Sequence, residues 1–343
     1  MLTVVLGLAG ALVYGAADFL GGLSARRISA LRVTAVGALS GVVLLFAATL
    51  VIPGRWSWEA VLWGGISGVT GAAAIALLYA CLAIGPMSIL SPLTAVTSAI
   101  VPLTWGLVTG SQLGAIAYPA FCLALIAVVL VGFVPSKEAV RPTLAGLLMA
   151  VASGTLIGAF YILVDQTPDD SGLVPLVANR TVNATIMITL IVVLAVIAGA
   201  RHVRAADAPA AVLDGAHGAP HRLGAQRAPE VQNGLGAADA PVPAPGVTSP
   251  GGGLLRAAAS ALRGGWRGGF WLAVGCGVLD ALANIVVLIG LRVGDLTIVS
   301  VLTALYPAGT ILLAAVVLRE RIARLQWVGL ALALAASAML AAA

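Results

Sequence analysis

The sequence predicts an all-α polytopic membrane protein in which ten transmembrane helices form two inverted five-helix repeats. Apolar residues make up 61% of the chain and charged residues only 9%, whereas a soluble domain carries about a quarter charged residues. The apolar runs have the length of a membrane-spanning helix, about 20 residues, and not the ~10-residue alternation of barrel strands. Because lipid cannot hydrogen-bond the backbone, each run must bond within itself as a helix.

Ten apolar runs define the predicted helices. The first, MLTVVLGLAGALVYGAADFLGG, has no basic segment before it and is long for a cleaved signal, so it is interpreted as a membrane helix. Residues 201–268 are rich in Ala, Gly, Pro and Arg and poor in large aliphatic residues, a composition that predicts disorder. In chain order the helices are expected at 2–22, 31–52, 59–84, 87–108, 113–134, 143–165, 173–200, 269–291, 295–318 and 325–342.

The repeat is visible in two stretches, 71–115 and 280–324, which share a glycine turn and a Ser-x-x-Thr-Ala step. A constant shift of 209 residues relates Gly85, Ser91, Thr94 and Ala95 to Gly294, Ser300, Thr303 and Ala304. The predicted halves are 1–134 and 143–343, the second interrupted by 201–268. Because each half holds an odd number of spans, the two insert in opposite orientations, as in many alternating-access carriers.

Charge and cysteine usage exclude several classes of protein. The net charge of +5 comes from arginines at helix ends, which set membrane orientation and do not indicate nucleic-acid binding. The three cysteines all lie in apolar runs and give neither a disulfide framework nor a metal spacing. No nucleotide-phosphate loop is present, so ATP-driven transport by this chain is not expected. The sequence therefore predicts no catalytic residue, no cofactor and no metal.

The orientation of the termini follows from the arginines in the loops. Loops after odd-numbered helices, including 201–268, hold most of them, whereas loops after even-numbered helices hold only Arg55 and Arg292. The positive-inside rule then places both termini outside the cell. The orientation is left open.

Two segments carry a resemblance to a known family: LRERIARLQWVGLALALAASAML near one end of the chain and YGAADFLGGLSARR near the other. Together they resemble the drug/metabolite transporter superfamily, in particular its EamA-type ten-helix members. The first segment is similar to the pattern that closes each family repeat, with Glu320, Gln326 and Gly329 at the family positions. The second is similar to the opening Trp-Gly-Ser-x-Phe segment of many members. Members are commonly drawn with both termini inside, which conflicts with the arginine count. The first repeat departs from the pattern, because Ser111 stands where Glu320 stands in the second. The resemblance implies a small-molecule carrier of the cell membrane, usually an exporter of amino acids, metabolites or drugs.

Ionisable groups inside membrane helices are costly and so mark cavities, partners or proton paths. Asp280 lies near the middle of the eighth predicted helix, with Asn284 one turn on along the same face. Asp18 shares a face of the first helix with Tyr14, and Tyr161 holds the corresponding place in the sixth. These residues are predicted to bind substrate or protons. The alternatives are a neutral Asp280 bonded to a neighbouring helix and an Asp18 that reaches the lipid headgroups.

Arg180 and Asn183 lie one turn apart near the start of the seventh helix and form a polar face suited to an anionic group. The alternative for Arg180 is an interfacial anchor beside Asp169 and Asp170. Aromatic and hydroxyl side chains are further candidates for the cavity lining, with an interfacial aromatic belt as the alternative for the aromatic ones: Tyr79, Thr303 and Tyr306. A structural ion cluster is predicted at one helix end from Arg319, Glu320 and Arg321.

The predicted function is secondary transport, as an exporter, of a small organic metabolite or drug by alternating access, with protons as one candidate energy source. The pocket would be lined by the first, third, fourth, sixth, eighth and ninth helices. The expected partners are a small-molecule substrate and membrane lipid, with no nucleic acid; a homodimer is left open. The alternative is a non-transporting scaffold or sensor whose 201–268 loop recruits a partner. An integral-membrane enzyme is disfavoured, since no catalytic set is present.

Overall fold

The computed structural model describes residues 1–28, 30–84, 87–111, 113–132, 142–206, 268–319 and 321–342. Within these ranges the regular structure is helical and no strand occurs. The helices are α1 (Leu2–Ala25), α2 (Ala30–Ala48), α3 (Trp58–Ile84), α4 (Met87–Thr109), α5 (Ala117–Gly132), α6 (Leu144–Asp165), α7 (Val174–Ala206), α8 (Phe270–Val293), α9 (Leu296–Thr303), α10 (Tyr306–Val317) and α11 (Arg324–Ala342). A short 3₁₀ turn, Asp169–Ser171, connects α6 to α7.

The predicted membrane fold is confirmed. Eight segments of the described chain are long and apolar enough to cross a bilayer, and α9 and α10 together make one of them, Leu296–Val317. Two shorter apolar helices, Arg32–Ala48 and Ala117–Gly132, complete the ten predicted spans.

The ninth predicted helix is not continuous. The sequence predicted one helix at 295–318, but α9 ends at Thr303 and α10 begins at Tyr306. Pro307 stands at the start of α10, where its missing amide proton costs nothing, whereas inside a helix it would remove a backbone hydrogen bond. The proline therefore starts a new helix in the middle of the span and leaves a break at Ala304 and Leu305.

The seventh helix is longer than predicted. It runs to Ala206, so residues 201–206 are helical and the prediction of disorder is wrong for them. The segment RHVRAA consists mainly of good helix formers, Ala and Arg, and continues a helix that the apolar run has already nucleated. The rest of the predicted disordered loop, 207–267, lies outside the described residues.

Corresponding helices of the two halves make corresponding contacts. In the first half, α1 packs against α8 and against the broken span α9–α10; in the second half, α6 packs against α3 and α4. Likewise α2 packs on α8 as α7 packs on α3, and α5 pairs with α11. Exchanging every helix of one half with the helix at the same place in the other half leaves this set of contacts unchanged. This exchange symmetry is the packing of two inverted five-helix repeats.

Glycines allow the closest helix crossings. A Cβ atom on Gly15 of α1 would lie 2.7 Å from the Gly309 Cα atom and 2.7 Å from the Tyr306 carbonyl oxygen, so α1 and α10 touch through their backbones. A Cβ atom on Gly158 of α6, which the sequence aligns with Gly15, would lie 2.6–3.0 Å from side-chain atoms of Val101 and Pro102 of α4. Small residues at such crossings are how membrane helices approach closely without a hydrophobic driving force.

Candidate substrate-binding site

An ion pair joins α7 to α8, both of which pack against α2. Arg180 donates a hydrogen bond from Nη2 to the Asp280 Oδ2 atom. The two side chains are 13% and 30% exposed, so the pair is mostly buried and Asp280 has the more accessible end. Gly41 of α2 lies beside the arginine, since a Cβ atom there would be in ordinary contact with its Cδ and Nε atoms at 3.6 Å. The predicted acid thus has a partner 100 residues away in the chain.

The Arg180 guanidinium is not fully bonded. Its Nε–H group is buried and has no hydrogen-bond partner among the described residues. Leaving a buried donor unpaired costs about 1–3 kcal/mol, and such groups in folded proteins call for an explanation in terms of function or bound water. The arginine therefore retains a hydrogen-bond donor beyond its pairing with Asp280.

Two tyrosines from the first helix of each half meet beside this pair. Tyr14 of α1 packs against the cluster of buried residues that includes Tyr161 of α6, and both tyrosines lie near Asp280. Tyr161 is buried and packs edge-on against Phe160, with ring centroids 5.2 Å apart. The sequence predicted that these tyrosines hold equivalent positions in the two repeats, and the structure brings them into contact at the junction of the halves.

Asp18 lies in the same region but in a different environment. Asp18 is exposed, whereas Tyr161 is buried. Its charge interacts with Asp280, Tyr161 and Tyr306. Cys276 of α8 is near both carboxylates, and its Sγ atom would be 3.1 Å from a Cβ atom on Gly21. The sequence had given Cys276 no role beyond filling space.

Three other predicted residues use their polar groups within the helices or at another interface. Asn284 is buried and donates from Nδ2 to the Asp280 carbonyl oxygen at 2.7 Å, one turn back on the same helix. Thr303 is buried and donates from Oγ1 to the Val299 carbonyl oxygen at 2.7 Å. Asn183 is buried against Gly71 of α3. None of these contacts points to a ligand.

The remaining predictions are only partly covered by the described residues. Tyr79 lies on α3, but its side chain is outside the described part of the chain, as is the whole of Glu320. Arg319 and Arg321 are exposed in the turn between α10 and α11, and Arg319 has a positive φ of 56°. The ion cluster predicted for Arg319, Glu320 and Arg321 thus stays a prediction.

A second set of ionic contacts, at the end of the bundle where α8 and α6 end, was not predicted. Arg292, in the last turn of α8, donates to the Thr167 carbonyl oxygen and hydroxyl, and to Asp169 Oδ1 at 3.1 Å. Arg55, before α3, pairs with Asp170 Oδ2 at 2.9 Å. The sequence did contain a signal for them. Arg55 and Arg292 are the two arginines in loops after even-numbered helices, and Asp169-Asp170 lies in a loop on the same side of the membrane.

The comparisons with known proteins match part of the chain by sequence. The model of the EamA-like transporter family matches residues 247–342. Over these residues the chain is similar to that family, which belongs to the drug/metabolite transporter superfamily. The matched residues include α8, the source of Asp280, and the broken span α9–α10. The protein is a multi-pass membrane protein.

A solved structure shares the fold of nearly the whole chain. A solved structure described as "Crystal structure of protein" superposes with a TM-score of 0.64 over 98% of this chain and 95% of the other, at 15% identity. At that identity the likeness shows the fold alone. No curated protein matches the sequence of the chain.

Proposed function

We propose that this protein is a secondary carrier that moves a small organic molecule across the cell membrane, as an exporter, by alternating access. The observation behind the proposal is the polar cluster at the junction of the two halves, in which Tyr14 of α1 and Tyr161 of α6 lie beside the Arg180–Asp280 pair. Charged groups at membrane depth are kept almost only where they face a pathway or one another.

The pair itself argues for function more than for stability. Taking two charges out of water costs several kcal/mol per ion, and their mutual attraction only about offsets it when every donor is bonded. Here the Arg180 Nε–H group has no partner among the described residues. An apolar pair would pack the same crossing without that penalty. The cluster is therefore better explained as a binding site in which Arg180 and Asp280 bind each other at one stage of transport and the substrate or a proton at another.

In alternating access, one end of the helix bundle must be closed while the other end is open to the substrate. The Arg292 contacts and the Arg55–Asp170 pair tie α8 and the α2–α3 connection to the connection between α6 and α7. We assign this end of the bundle as the closed gate, and the halves 1–134 and 143–343 as the units that rock about the central cluster. The energy would come from a substrate gradient or from protons that bind the carboxylate of Asp280 or Asp18.

The test begins with a ligand. A thermal-shift screen of metabolites and drugs against the purified protein selects a compound that raises its unfolding temperature, since binding to the folded state stabilises it. Flux of that compound into proteoliposomes is then measured for the wild type and for Asp280→Asn. We expect the variant to lose gradient-driven flux while its gel-filtration profile and helical circular dichroism are unchanged.

The matched control is Glu59→Gln, which removes an exposed acid in the first turn of α3, away from both the central cluster and the gate contacts. It should retain flux, so that loss of a carboxylate in general cannot explain the result. Undiminished flux in Asp280→Asn would remove Asp280 from the mechanism. Deleting 207–255 addresses the scaffold alternative, because a carrier keeps its flux without that segment and a recruitment scaffold loses its output.

A further inference from the structure

We propose that the connection between α6 and α7 is a preformed binding site for one guanidinium group, and that Arg292 of α8 closes the gate by entering this site and opens it by leaving. Thr167, Asp169 and Ser171 form the site, and we call them the guanidinium site. The inference rests on the proposed carrier function and identifies the gate contact that moves.

The first argument is the match between the hydrogen-bond donors of Arg292 and the acceptors of the site. Nη1 donates to the Thr167 carbonyl oxygen and to Asp169 Oδ1, the latter at 3.1 Å. Nη2 donates to the Thr167 hydroxyl and to the Ser171 hydroxyl, the latter at 3.3 Å. The two terminal nitrogens of a guanidinium carry four N–H groups in one plane, so each finds one acceptor. A lysine has three donors on a single nitrogen and does not fit this arrangement.

The second argument is that the guanidinium site is held in place without Arg292. The Thr167 hydroxyl donates to the Val164 carbonyl oxygen at 2.6 Å, and the Ser171 hydroxyl donates to the Pro168 carbonyl oxygen. Both Thr167 and Ser171 are buried. Because these local hydrogen bonds fix the two hydroxyl oxygens, the site persists when the arginine withdraws.

The third argument is that the guanidinium site is fastened to the start of α3 through the backbone. The Arg55 N–H group donates to the Asp170 carbonyl oxygen at 2.9 Å. A Cβ atom on Gly54 would lie 2.0 Å from the Ser171 carbonyl oxygen, so the two connections touch through their main chains. These contacts do not depend on the side-chain pair of Arg55 and Asp170. The site therefore moves with α3.

Arg292 comes from a different group of helices. It lies in the last turn of α8, which packs on α1 and α2, whereas α3 packs on α6 and α7. Its hydrogen bonds therefore join one group of helices to the other. When the arginine leaves the guanidinium site, the end of α8 parts from the connection between α6 and α7, so the second half bends within itself during the proposed rocking.

The repeat carries this arginine in one copy. The position in the first repeat that corresponds to Arg292, at 292 − 209 = 83, is an alanine. Helix α3 ends at Ile84 as α8 ends at Val293, and an inverted repeat places these two helix ends on opposite sides of the membrane. The arginine latch thus belongs to one end of the bundle.

The first experiment replaces the arginine side chain by a free guanidinium. The probes are methylguanidine and methylamine, both of which are monovalent cations at neutral pH, added to the purified full-length protein in detergent. We expect methylguanidine to raise the unfolding temperature of Arg292→Ala by about 3 °C or more relative to the wild type in the same solution, as a ligand at about ten times its Kd does. The wild type, whose site is occupied, sets the general effect of each cation.

Three comparisons make this result specific. Methylamine should not stabilise Arg292→Ala. Arg55→Ala should not be stabilised by methylguanidine, because the Arg55 side chain is 83% exposed and bonds one carboxylate oxygen. Adding Ser171→Ala to Arg292→Ala should reduce the stabilisation. Equal effects of the two cations, or equal effects of methylguanidine on the wild type and Arg292→Ala, would overturn the site.

The second experiment measures the opening of the gate. Leu288 is buried one turn before Arg292 on the same face of α8, so Leu288→Cys reports whether that face has parted from its neighbours. A membrane-impermeant thiol reagent should modify the introduced cysteine at least about tenfold faster when Arg292→Ala or Arg292→Lys is also present, and methylguanidine should slow the reaction in Arg292→Ala. The background protein has alanine in place of the native cysteines: Cys81, Cys122 and Cys276.

The matched control is Arg55→Ala, which should change the rate less than threefold because the backbone contacts of Arg55 and Gly54 remain. A rate unchanged by both substitutions of Arg292 would show that the arginine does not hold the gate. A larger increase for Arg55→Ala than for Arg292→Ala would show that the moving contact is the other arginine. Either result would overturn the latch.

Flux measurements separate the latch from the carrier function. If the screened compound is transported and Arg292→Ala leaves both its flux and the labelling rate at wild-type values, the latch is overturned and the carrier stands. If methylguanidine binds and the labelling rates change as expected, but no compound crosses the membrane of proteoliposomes, the guanidinium site stands and the carrier is overturned.

Discussion

Two helix crossings occupy equivalent places in the two repeats and differ in their polar content. Gly277 on α8 and Gly68 on α3 are separated by 209 residues, the shift that relates the repeats. A Cβ atom on Gly277 would lie 2.1 Å from the Gly37 carbonyl oxygen of α2, and one on Gly68 would lie 2.4 Å from the Asn179 carbonyl oxygen of α7. The backbones therefore meet in the same way at both crossings.

The side chains around the two glycines are different. At the α3–α7 crossing, Asn179 donates from Nδ2 to the Ser67 hydroxyl at 2.8 Å, and both residues are buried. At the α2–α8 crossing, Asp280 remains partly exposed and reaches Arg180. The position in α3 that corresponds to Asp280, at 280 − 209 = 71, is a glycine. The repeat thus supplies one scaffold twice, and a few substitutions in the second copy turn a sealed interface into a polar site.

The largest expected effect comes from filling either crossing. Gly277→Ala and Gly68→Ala would each force a methyl group against a backbone carbonyl, which cannot yield as a side-chain tip can. We expect each to lower the free energy of unfolding by about 3 kcal/mol or more, seen as a lower unfolding temperature in detergent and a lower folded yield.

The control for these substitutions is Gly65→Ala on α3, where the nearest atom is the Val182 Cγ2 atom at an ordinary 3.8 Å. It should leave the unfolding temperature nearly unchanged. If Gly277→Ala were destabilising and Gly68→Ala were not, the equivalence of the two crossings would be wrong.

An intermediate effect is expected from the polar groups that distinguish the crossings. Arg180→Gln leaves Asp280 without its partner and should lower the free energy of unfolding by about 1–3 kcal/mol, a range that allows for the 30% exposure of the carboxylate. Asn179→Ala, which removes a neutral hydrogen bond, should cost about 1 kcal/mol.

The pair is tested by a double-mutant cycle. Arg180→Gln combined with Asp280→Asn should be more stable than the sum of the single effects predicts, because the second change removes the charge that the first one stranded. Additive effects would show that the two side chains do not interact in solution.

The smallest effect concerns the arginines that anchor α3 and α8 at the gate end. Arg55 is 83% exposed and Arg292 only 16%. Exposed ion pairs contribute about 0–1 kcal/mol, so Arg55→Gln should change the unfolding temperature little. Arg292→Gln should lower it more, since Arg292 also bonds Thr167 and Ser171. Equal effects would mean that the buried contacts of Arg292 add nothing to the gate.

Sequence reasoning anticipated which polar residues lie near one another better than how they bond. Asp280, Asp18, Tyr14, Tyr161 and Arg180 come together as one cluster, because ionisable groups stand out in apolar runs. It could not tell that Arg180 would bond Asp280, or that Thr303 and Asn284 would bond their own helices. Lipid is as apolar as a leucine side chain, so hydrophobic periodicity does not reveal which face of a membrane helix points inward.

The sequence by itself determined the class of the protein, the ten spans and the two copies, because a chain with so few charges must satisfy its backbone as helices in lipid. It also determined which side chains are too polar to face that lipid. Only the tertiary structure decided where the proline breaks the ninth span, which arginine meets Asp280, and that Asp18 has no partner among the described residues. These outcomes depend on the close crossings at Gly15, Gly68 and Gly277, since contacts between distant segments follow from the shapes of packed surfaces and not from local composition.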